Sequence, residues 1–440
     1  MNIITIDCGA SFLKAALFQD NKIVREIHRK APKVHGSEDI FCPTQIHSLL
    51  EQVKSVLREM ADGLTEAVVS ISNEMHGFLL AYEDGTPYTD YISWQKEFGA
   101  ELLDGIASKT ILEQPEYAGE ILRSGMPVRS GLPSSNLLYL KRSGALNGKK
   151  DTLYFYTLGD YIVRSITGKQ PVCHVTNAAA SGLMNLETGE WNSILLKLVC
   201  DNAVKFPLIG TDCVDTILEN CTLHFLSAIG DQQAALYGAG VVSETDLSFN
   251  LGTGAQVSKI VSQPVFSEKY QTRPYMNGTF IKSVPHLPSG RAMNVYIRFI
   301  QDILSSFEVK MDEDKIWDCV LRTVEAEDET SLDCDLSFFE NPITDHVTGS
   351  ISNIPEYGLK LGSLFRAIFD RMADNFLVAA QVIEPEVSRV ERLVFSGGVS
   401  KRIFYIRDEI QACYAGVSTE IAVDNETLYG LNKYANFFIN

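Results

Sequence analysis

Three observations predict an α/β protein of two halves, each a mixed β-sheet flanked by helices. Short β-rich runs alternate with segments of helical period. A strand, glycine turn, strand layout opens the chain and returns after residue 246, so the second half restarts the first. Finally, 440 residues with 45% apolar and 21% charged side chains exceed one ordinary core and fit two sizeable domains.

In chain order, residues 3 to 28 read as a β-meander. IITI is followed by a Cys-Gly-Ala-Ser turn, FLKAALF, the turn Asp20-Asn21 and KIVREI. Ile46, Leu49, Leu50, Val53, Val56, Leu57 and Met60 recur at helical spacing, and AVVSIS (67 to 72) follows as a buried strand. Near Val242 the helix-like AALYGAGV ends, which divides the chain into 1–241 and 242–440. No long Pro- or Ser-rich linker marks this boundary, so the halves are expected to pack directly with a cleft between them. LSFNL (247 to 251), Gly252-Thr253-Gly254 and AQVSKIV (255 to 261) repeat the opening layout. Leu361, Leu364, Phe365, Ile368, Met372, Phe376, Ala379 and Ile383 then mark a long amphipathic helix. It leads into the strand RLVFS (392 to 396), the turn Gly397-Gly398 and another helix.

Charge narrows the partners. With 38 Lys and Arg against 56 Asp and Glu the net charge is -18, which repels nucleic acid and anionic membrane. Small-molecule chemistry remains, and a phosphorylated ligand is admissible because backbone amides and a metal ion carry charge locally. The nine cysteines are scattered with no CxxC spacing, which reads as reduced thiols in a cytoplasmic protein. MNIITIDCGASF lacks a basic region, so no signal peptide is expected, and no run approaches the ~20 apolar residues of a membrane span.

Each glycine turn alone, Asp7-Cys8-Gly9-Ala10-Ser11 or Gly252-Thr253-Gly254, is most simply a chain reversal. A matched pair in two similar halves can instead grip a polyphosphate, because such turns expose successive N–H groups. Ser396-Gly397-Gly398-Val399-Ser400 is either a strand-to-helix turn capped by Ser400 or a flat surface for a nucleoside. Asp7, at a strand end beside the first turn, is suited to holding Mg²⁺. Asp231 precedes a small-residue helix and is either its N-cap or a general base.

Taken together these pieces resemble the FGGY family of carbohydrate kinases, within the actin and heat-shock-chaperone ATPase superfamily. The residues that carry the resemblance are IDCGASFLKAALF (6 to 18), SNEMHGF (72 to 78), ISWQ (92 to 95), DYIVRSITG (160 to 168) with TNAAASGLMNLETGEW (176 to 191), IGDQQAALYG (229 to 238), LGTGAQ (251 to 256) and FSGGVSK (395 to 401). The resemblance implies two actin-like, ribonuclease H-like domains with the active site in the cleft between them. It implies ATP and a sugar as substrates, Mg²⁺, and Asp231 as the base that takes the acceptor's proton. Asp7 and Asp231 would hold the metal, and Gly9, Ser11, Lys14, Gly252 and Thr253 the phosphates. Gly397 and Gly398 would lie against the adenosine. Asp7, Glu74, Met75, His76, Trp94, Gln95 and Asp231 would line the acceptor pocket.

Glu74-Met75-His76-Gly77 stands where xylulose kinases carry Gln-Met-His-Gly, and the stretch 271 to 300 is similar to sedoheptulose kinases. Both point to a ketose of the sedoheptulose, xylulose or ribulose type. Ala10 stands where the family usually has Thr, Lys96 where it has Asp and Asn73 where it has Gly. The chain is shorter than most of the family, which implies trimmed loops and a different oligomer, a homodimer among the options. Two rivals keep much of the same pattern. One is an actin-like ATP-binding switch, and the other a degenerate sugar-binding sensor with little turnover.

Overall fold

The computed structural model describes residues 1–32, 39–147, 152–252, 254–327 and 329–439. The opening meander forms as expected: β1 (Asn2–Cys8), β2 (Phe12–Gln19) and β3 (Lys22–Lys30) are successive antiparallel neighbours. β4 (Glu66–Asn73) runs parallel to β1 on its other side. The hairpin β5 (Cys213–Leu218) and β6 (Cys221–Leu226) extends the sheet, giving the order β5-β6-β4-β1-β2-β3, and the short β7 (Ile229–Gly230) also pairs with β4.

A second sheet is built from β8 (Asp246–Asn250), β9 (Gln256–Val261), β10 (Gln271–Pro274), β11 (Phe280–Pro285), β12 (Arg392–Ser396) and β13 (Ser418–Ile421). Its order is β10-β11-β9-β8-β12-β13. The run β11-β9-β8-β12-β13 repeats β3-β2-β1-β4-β6 strand for strand, antiparallel neighbours first and parallel ones after. The restart read from the glycine turns is therefore a repeat of topology.

Alternation along the strands gives each sheet two apolar faces. In the first, Ile4, Ile6, Ala15, Leu17 and Val69 pack under α1 (Thr44–Ala61) and α2 (Leu158–Thr167). Ile3, Ala16, Phe18 and Val68 point the other way, against α4 (Asp231–Gly238), which follows the short α3 (Val175–Ala180). In the second sheet Leu247, Phe249, Leu393 and Phe395 pack under α5 (Gly290–Ser306), α6 (Glu313–Glu325) and α7 (Leu361–Ile383), while Ile260, Ile281 and Val394 face the first half. After α8 (Gly398–Arg402) the chain ends in α9 (Glu426–Ile439), which crosses back to lie on α4, β1 and β4. Two mixed-sheet faces thus clasp a pair of helices, α4 and α9, through one shared core.

The first half also carries a layer that the sequence pattern does not announce. Leu79–Ala81, Leu153–Tyr156 and Val204–Lys205 form a three-stranded sheet, packed with the helices Pro133–Arg142 and Ser193–Val199 around Phe78, Leu80, Phe155 and Leu195. All nine cysteines are free thiols. No helix among the described residues is long and apolar enough to cross a membrane.

Candidate active site

Ligands of parallel sheets collect beyond the carboxyl ends of the strands, where successive loops diverge. Here three such ends lie side by side. Asp7 near the end of β1 is in register with Ser72 of β4, and Ser72 is in register with Ile229 of β7, two residues before Asp231. Glu74 follows β4 directly, its N–H donating to the Cys8 carbonyl at 3.1 Å. Residues from three stretches distant in sequence are thereby gathered by strand order alone.

The site is electrostatically crowded. Ser72 Oγ donates to Asp7 Oδ1 at 2.9 Å, and Lys14 lies directly across the β1–β2 ladder. Burial outweighs both and pushes the Asp7 carboxyl up to about 6. Asp231 is pushed up to about 7, first by burial and then by the negative charge of Asp7. Glu74 goes to about 8, by burial and then by repulsion from Asp231, with Tyr91 and Trp94 countering, and its Oε2 has no hydrogen-bond partner. Three carboxyl groups in one desolvated space cannot all ionise cheaply.

Asp231 is the first residue of α4, and Gly230 occupies the N-cap. Its Oδ1 accepts from the adjacent Gln232 N–H at 2.8 Å and the cap belongs to Gly230, so the helix-cap reading of Asp231 does not hold. The cap reading of Ser400 fails likewise. Gly397 is the N-cap of α8, and the buried Ser400 Oγ donates back to the Gly397 carbonyl at 2.7 Å.

The segment 176–181 acts on this site by positioning its backbone. Thr176 Oγ1 accepts from Gly230 N–H at 3.0 Å, one residue before Asp231. Asn177 Nδ2 donates to Asn73 Oδ1 and to the Ala228 carbonyl, both at 2.9 Å. Asn73 in turn donates to the Glu74 carbonyl at 2.8 Å. His76, in a left-handed conformation (φ 68°), is held by Ala180, whose carbonyl is 2.8 Å from Nδ1. Burial and the neighbouring Arg273 drive its pKa well below the usual histidine value, so the ring is neutral.

Further residues to which the sequence reading gave no role complete this wall, Arg273 among them although its stretch, 271 to 300, carries the likeness to sedoheptulose kinases. Arg273 of β10 reaches across from the second half. It is 6% exposed, its Nη1 donates to Gln232 Oε1 and lies 3.7 Å from Met75 Sδ, and its Nη2 donates to Gln271 Oε1. Gln232 Nε2 donates to Gln256 Oε1 at 2.6 Å, tying the Asp231 helix to the strand after the second glycine turn. Tyr91 stands beside Glu74, and Arg129 meets His286 at the outer rim. Trp94 is 45% exposed yet acts on Glu74, while Gln95 is exposed and its side chain makes no hydrogen bond to these residues.

The two glycine elements of the second half touch. Gly397 has φ 85°, and a Cβ there would stand 2.6 Å from the Leu251 carbonyl carbon and 2.7 Å from Gly252 N. Val399 N–H donates to the Leu251 carbonyl at 3.0 Å, which locks the pair. Beside Gly252 and Gly398 opens a cavity of about 810 Å³ walled by Arg291, Ile297, Trp317 and Arg402. Thr253 lies outside the described residues. In the first turn Gly9 N–H donates to the Phe12 carbonyl at 3.2 Å, and Ser11 is exposed.

Residues 2–212 match the FGGY family of carbohydrate kinases, N-terminal domain. A glycerol kinase of Rhizobium meliloti (strain 1021) is 24% identical over 265 residues, covering 57% of this chain and 53% of that protein. The sedoheptulokinase of Homo sapiens is 21% identical over 279 residues, covering 59% of this chain and 57% of that protein. The alignments thus span about half the length of these curated relatives. A solved structure of ligand-bound xylulose kinase from Lactobacillus acidophilus superposes with a TM-score of 0.81 at 19% identity, covering 100% of this chain and 90% of that one. Residues 2–212 thus match the N-terminal domain of the FGGY family of carbohydrate kinases, and the whole chain shares its fold with the solved xylulose kinase.

Proposed function

We propose that the protein is an ATP-dependent sugar kinase whose acceptor is a ketose of the sedoheptulose, xylulose or ribulose type, and that Asp231 is the general base. The observation that carries this reading is the partly buried Asp231 carboxyl, pushed to about 7 and set with Asp7 and Glu74 at the ends of β1, β4 and β7, facing Arg273 of β10. A base titrating near neutrality is matched to taking a proton from an alcohol as it attacks. In the step proposed, Asp231 accepts the hydroxyl proton, the hydroxyl oxygen bonds to the γ-phosphorus, and the bond to the β-phosphate oxygen breaks with ADP as leaving group.

The parts around the base fit distinct tasks. Glu74, Met75 and the neutral His76 offer an acceptor, an apolar shelf and a polar ring edge to a polyol. Gly9, Ser11, Lys14, Gly252 and Thr253 are proposed to hold the phosphates. The cavity beside Gly252 and Gly398 is of a size for a nucleoside. Asp7 and Asp231, two partly buried carboxylates of which the first raises the pKa of the second, are a hard oxygen donor set suited to Mg²⁺. Bound there, Mg²⁺ supplies charge neutralisation for the transferred phosphate. Closure of the parts 1–241 and 242–440 would exclude water that competes as acceptor.

A nucleotide switch has no use for Glu74 facing the base, and the repulsion between Glu74 and Asp231 argues for an acceptor site. The test is ADP release from Mg-ATP with xylulose, ribulose, sedoheptulose, fructose, rhamnulose, glycerol and erythritol. One of these should be turned over by the wild type and lost on Asp231→Asn by about 10²- to 10⁴-fold. An Asp231→Asn protein working at the wild-type rate, or silence with the whole panel, overturns the proposal.

A further inference from the structure

We propose that Cys213, Asp215 and His224 bind a divalent ion of the zinc class at the edge of the first sheet, with Glu66 orienting the histidine. The site stands apart from the proposed phosphoryl transfer and does not depend on it. Among the described residues these are the one set of three or more His, Cys, Asp or Glu side chains whose donor atoms gather closely enough to hold an ion. Cys213 Sγ, a carboxylate oxygen of Asp215 and a ring nitrogen of His224 all lie within 4.8 Å of one another.

Strand pairing builds the set. Cys213 and Asp215 are two positions apart on β5 and share a face of the sheet. Asp215 is directly opposite His224 of the antiparallel β6, so the two side chains project side by side. On the other side of β6, β4 places Val68 opposite His224, and Glu66, two positions before Val68, shares that face. The hairpin is closed beside the set, where Ser227 Oγ accepts from Asp212 N–H and Ser227 N–H donates to the Asp212 carbonyl, both at 3.0 Å. Cys213 is half-buried against the core that holds α9, whereas Asp215 is open to solvent, so an ion enters from the outer side.

The two ring nitrogens of His224 have different neighbours. Nδ1 lies 2.7 Å from Asp215 Oδ1, and Nε2 lies 2.9 Å from Glu66 Oε1. A histidine that binds metal through one nitrogen donates its other N–H to a carboxylate, carbonyl or water, which fixes its tautomer and ring orientation. Glu66 supplies that carboxylate and leaves Nδ1 on the side of Asp215. His346 gives the contrast. It too lies between carboxylates, Asp335 at 2.7 Å and Asp345 at 3.5 Å, yet belongs to no such set among the described residues.

Thiolate, imidazole and carboxylate together suit zinc, whereas Mg²⁺ and Ca²⁺ take oxygen donors. A tetrahedral ion about 2.0–2.3 Å from each donor holds the donors about 3.3–3.8 Å apart, a spacing within reach of side-chain rotation from the present one. Three protein donors leave the fourth position to water. The local charge also favours a cation. After burial, the negative charges of Asp215 and Asp212 push the Cys213 thiol up, and Glu66 adds a third carboxylate. On binding, the thiol proton passes to solvent and the ion takes its place.

The test uses the full chain without an affinity tag, stripped with a chelator and kept reduced. Zn²⁺ is titrated in competition with a chromophoric chelator, and Co²⁺ is titrated while the thiolate-to-cobalt absorption is followed. The wild type should take up about one tight equivalent per chain and show the thiolate band. Glu66→Gln should weaken Zn²⁺ binding about 10- to 100-fold with the band retained, as loss of an outer-shell partner does. Cys213→Ser should abolish the band, and both it and His224→Gln should weaken binding by at least about tenfold. Asp231→Asn, which alters the carboxylate pair proposed for Mg²⁺, should leave the titration unchanged. Absence of the band in the wild type overturns the proposal, as does wild-type affinity in Cys213→Ser or His224→Gln. His224 is then an imidazolium held between Glu66 and Asp215. Loss of the tight equivalent in Asp231→Asn also overturns it, by placing the ion in the cleft. None of these readouts requires turnover, so failure of the kinase reading is distinguishable from failure of this site.

Discussion

Replacing Gly430 by alanine tests whether the α4–α9 contact is what joins the two sheets. A Cβ at Gly430 would stand 1.8 Å from the Ala234 carbonyl oxygen, and one at Gly238, directly opposite, 1.7 Å from that of Glu426. A carbon approaches a carbonyl oxygen to about 3.3 Å, so the helices must part by about 1.5 Å. Neither contacted atom is a flexible tip that could swing away. Such overpacking costs about 3 kcal/mol or more, while alanine for glycine within a helix returns about 1, leaving a net loss of about 2 kcal/mol. The assay is urea unfolding followed by tryptophan fluorescence, with Gly119→Ala as control. Gly119 lies in the helix Ala118–Arg123, where a Cβ meets nothing nearer than the Arg123 tip at 3.5 Å, so alanine there should stabilise. Because Asp231 begins α4, the Gly430 variant should also lose turnover. If Gly430→Ala unfolds at the same midpoint as Gly119→Ala, the argument from close helix approach is wrong.

Three further expectations concern the site. With Asp231 titrating near 7, kcat/KM should rise with pH through about 7 and level off above it, because the protonated form cannot accept a proton. The same raised pKa means the folded state holds a proton the unfolded chain has lost. Its stabilising effect is full below the unfolded value near 4 and disappears as pH rises through 7. Asp231→Asn should therefore be more stable than wild type at pH 8, by about 1–3 kcal/mol, and a melting comparison showing it less stable would contradict the burial argument. Gly397→Ala meets both a left-handed backbone and the Leu251 carbonyl carbon at 2.6 Å, so it should displace the second glycine turn. The KM for ATP should rise about tenfold or more with the acceptor KM little changed, given a strain of roughly 1–3 kcal/mol. Unaltered nucleotide affinity would detach Gly397 from the phosphate turn.

What the sequence made legible was whatever obeys a short period. Alternation in β1, β2, β8 and β9 and the 3.6-residue spacing in α1 and α7 are local, and each element falls within a few residues of its expected bounds. The cap readings of Asp231 and Ser400 failed because Ser and Asp before a helix look alike whether they sit at the cap or one to three residues inside it. In both cases a glycine takes the cap, Gly230 and Gly397. The three-stranded layer in the first half escaped notice because its strands, Leu79–Ala81, Leu153–Tyr156 and Val204–Lys205, are too short to carry a period.

The site was legible in its acids and not in its bases. Asp7 and Asp231 stand beside glycine turns, a local conjunction that can be read from neighbours in the chain. Arg273 stands in a four-residue strand and meets Gln232 and Met75, separated from it by 41 and 198 positions, through strand order alone. No periodicity or spacing encodes that encounter. The consequence is general for a cleft closed by two halves. Each half writes its own glycine turn in plain sequence, whereas a contact made where a side chain of one half enters the other is displayed only by the assembled fold. In this protein such a crossing residue is Arg273, buried, with its Nε unpartnered among the described residues.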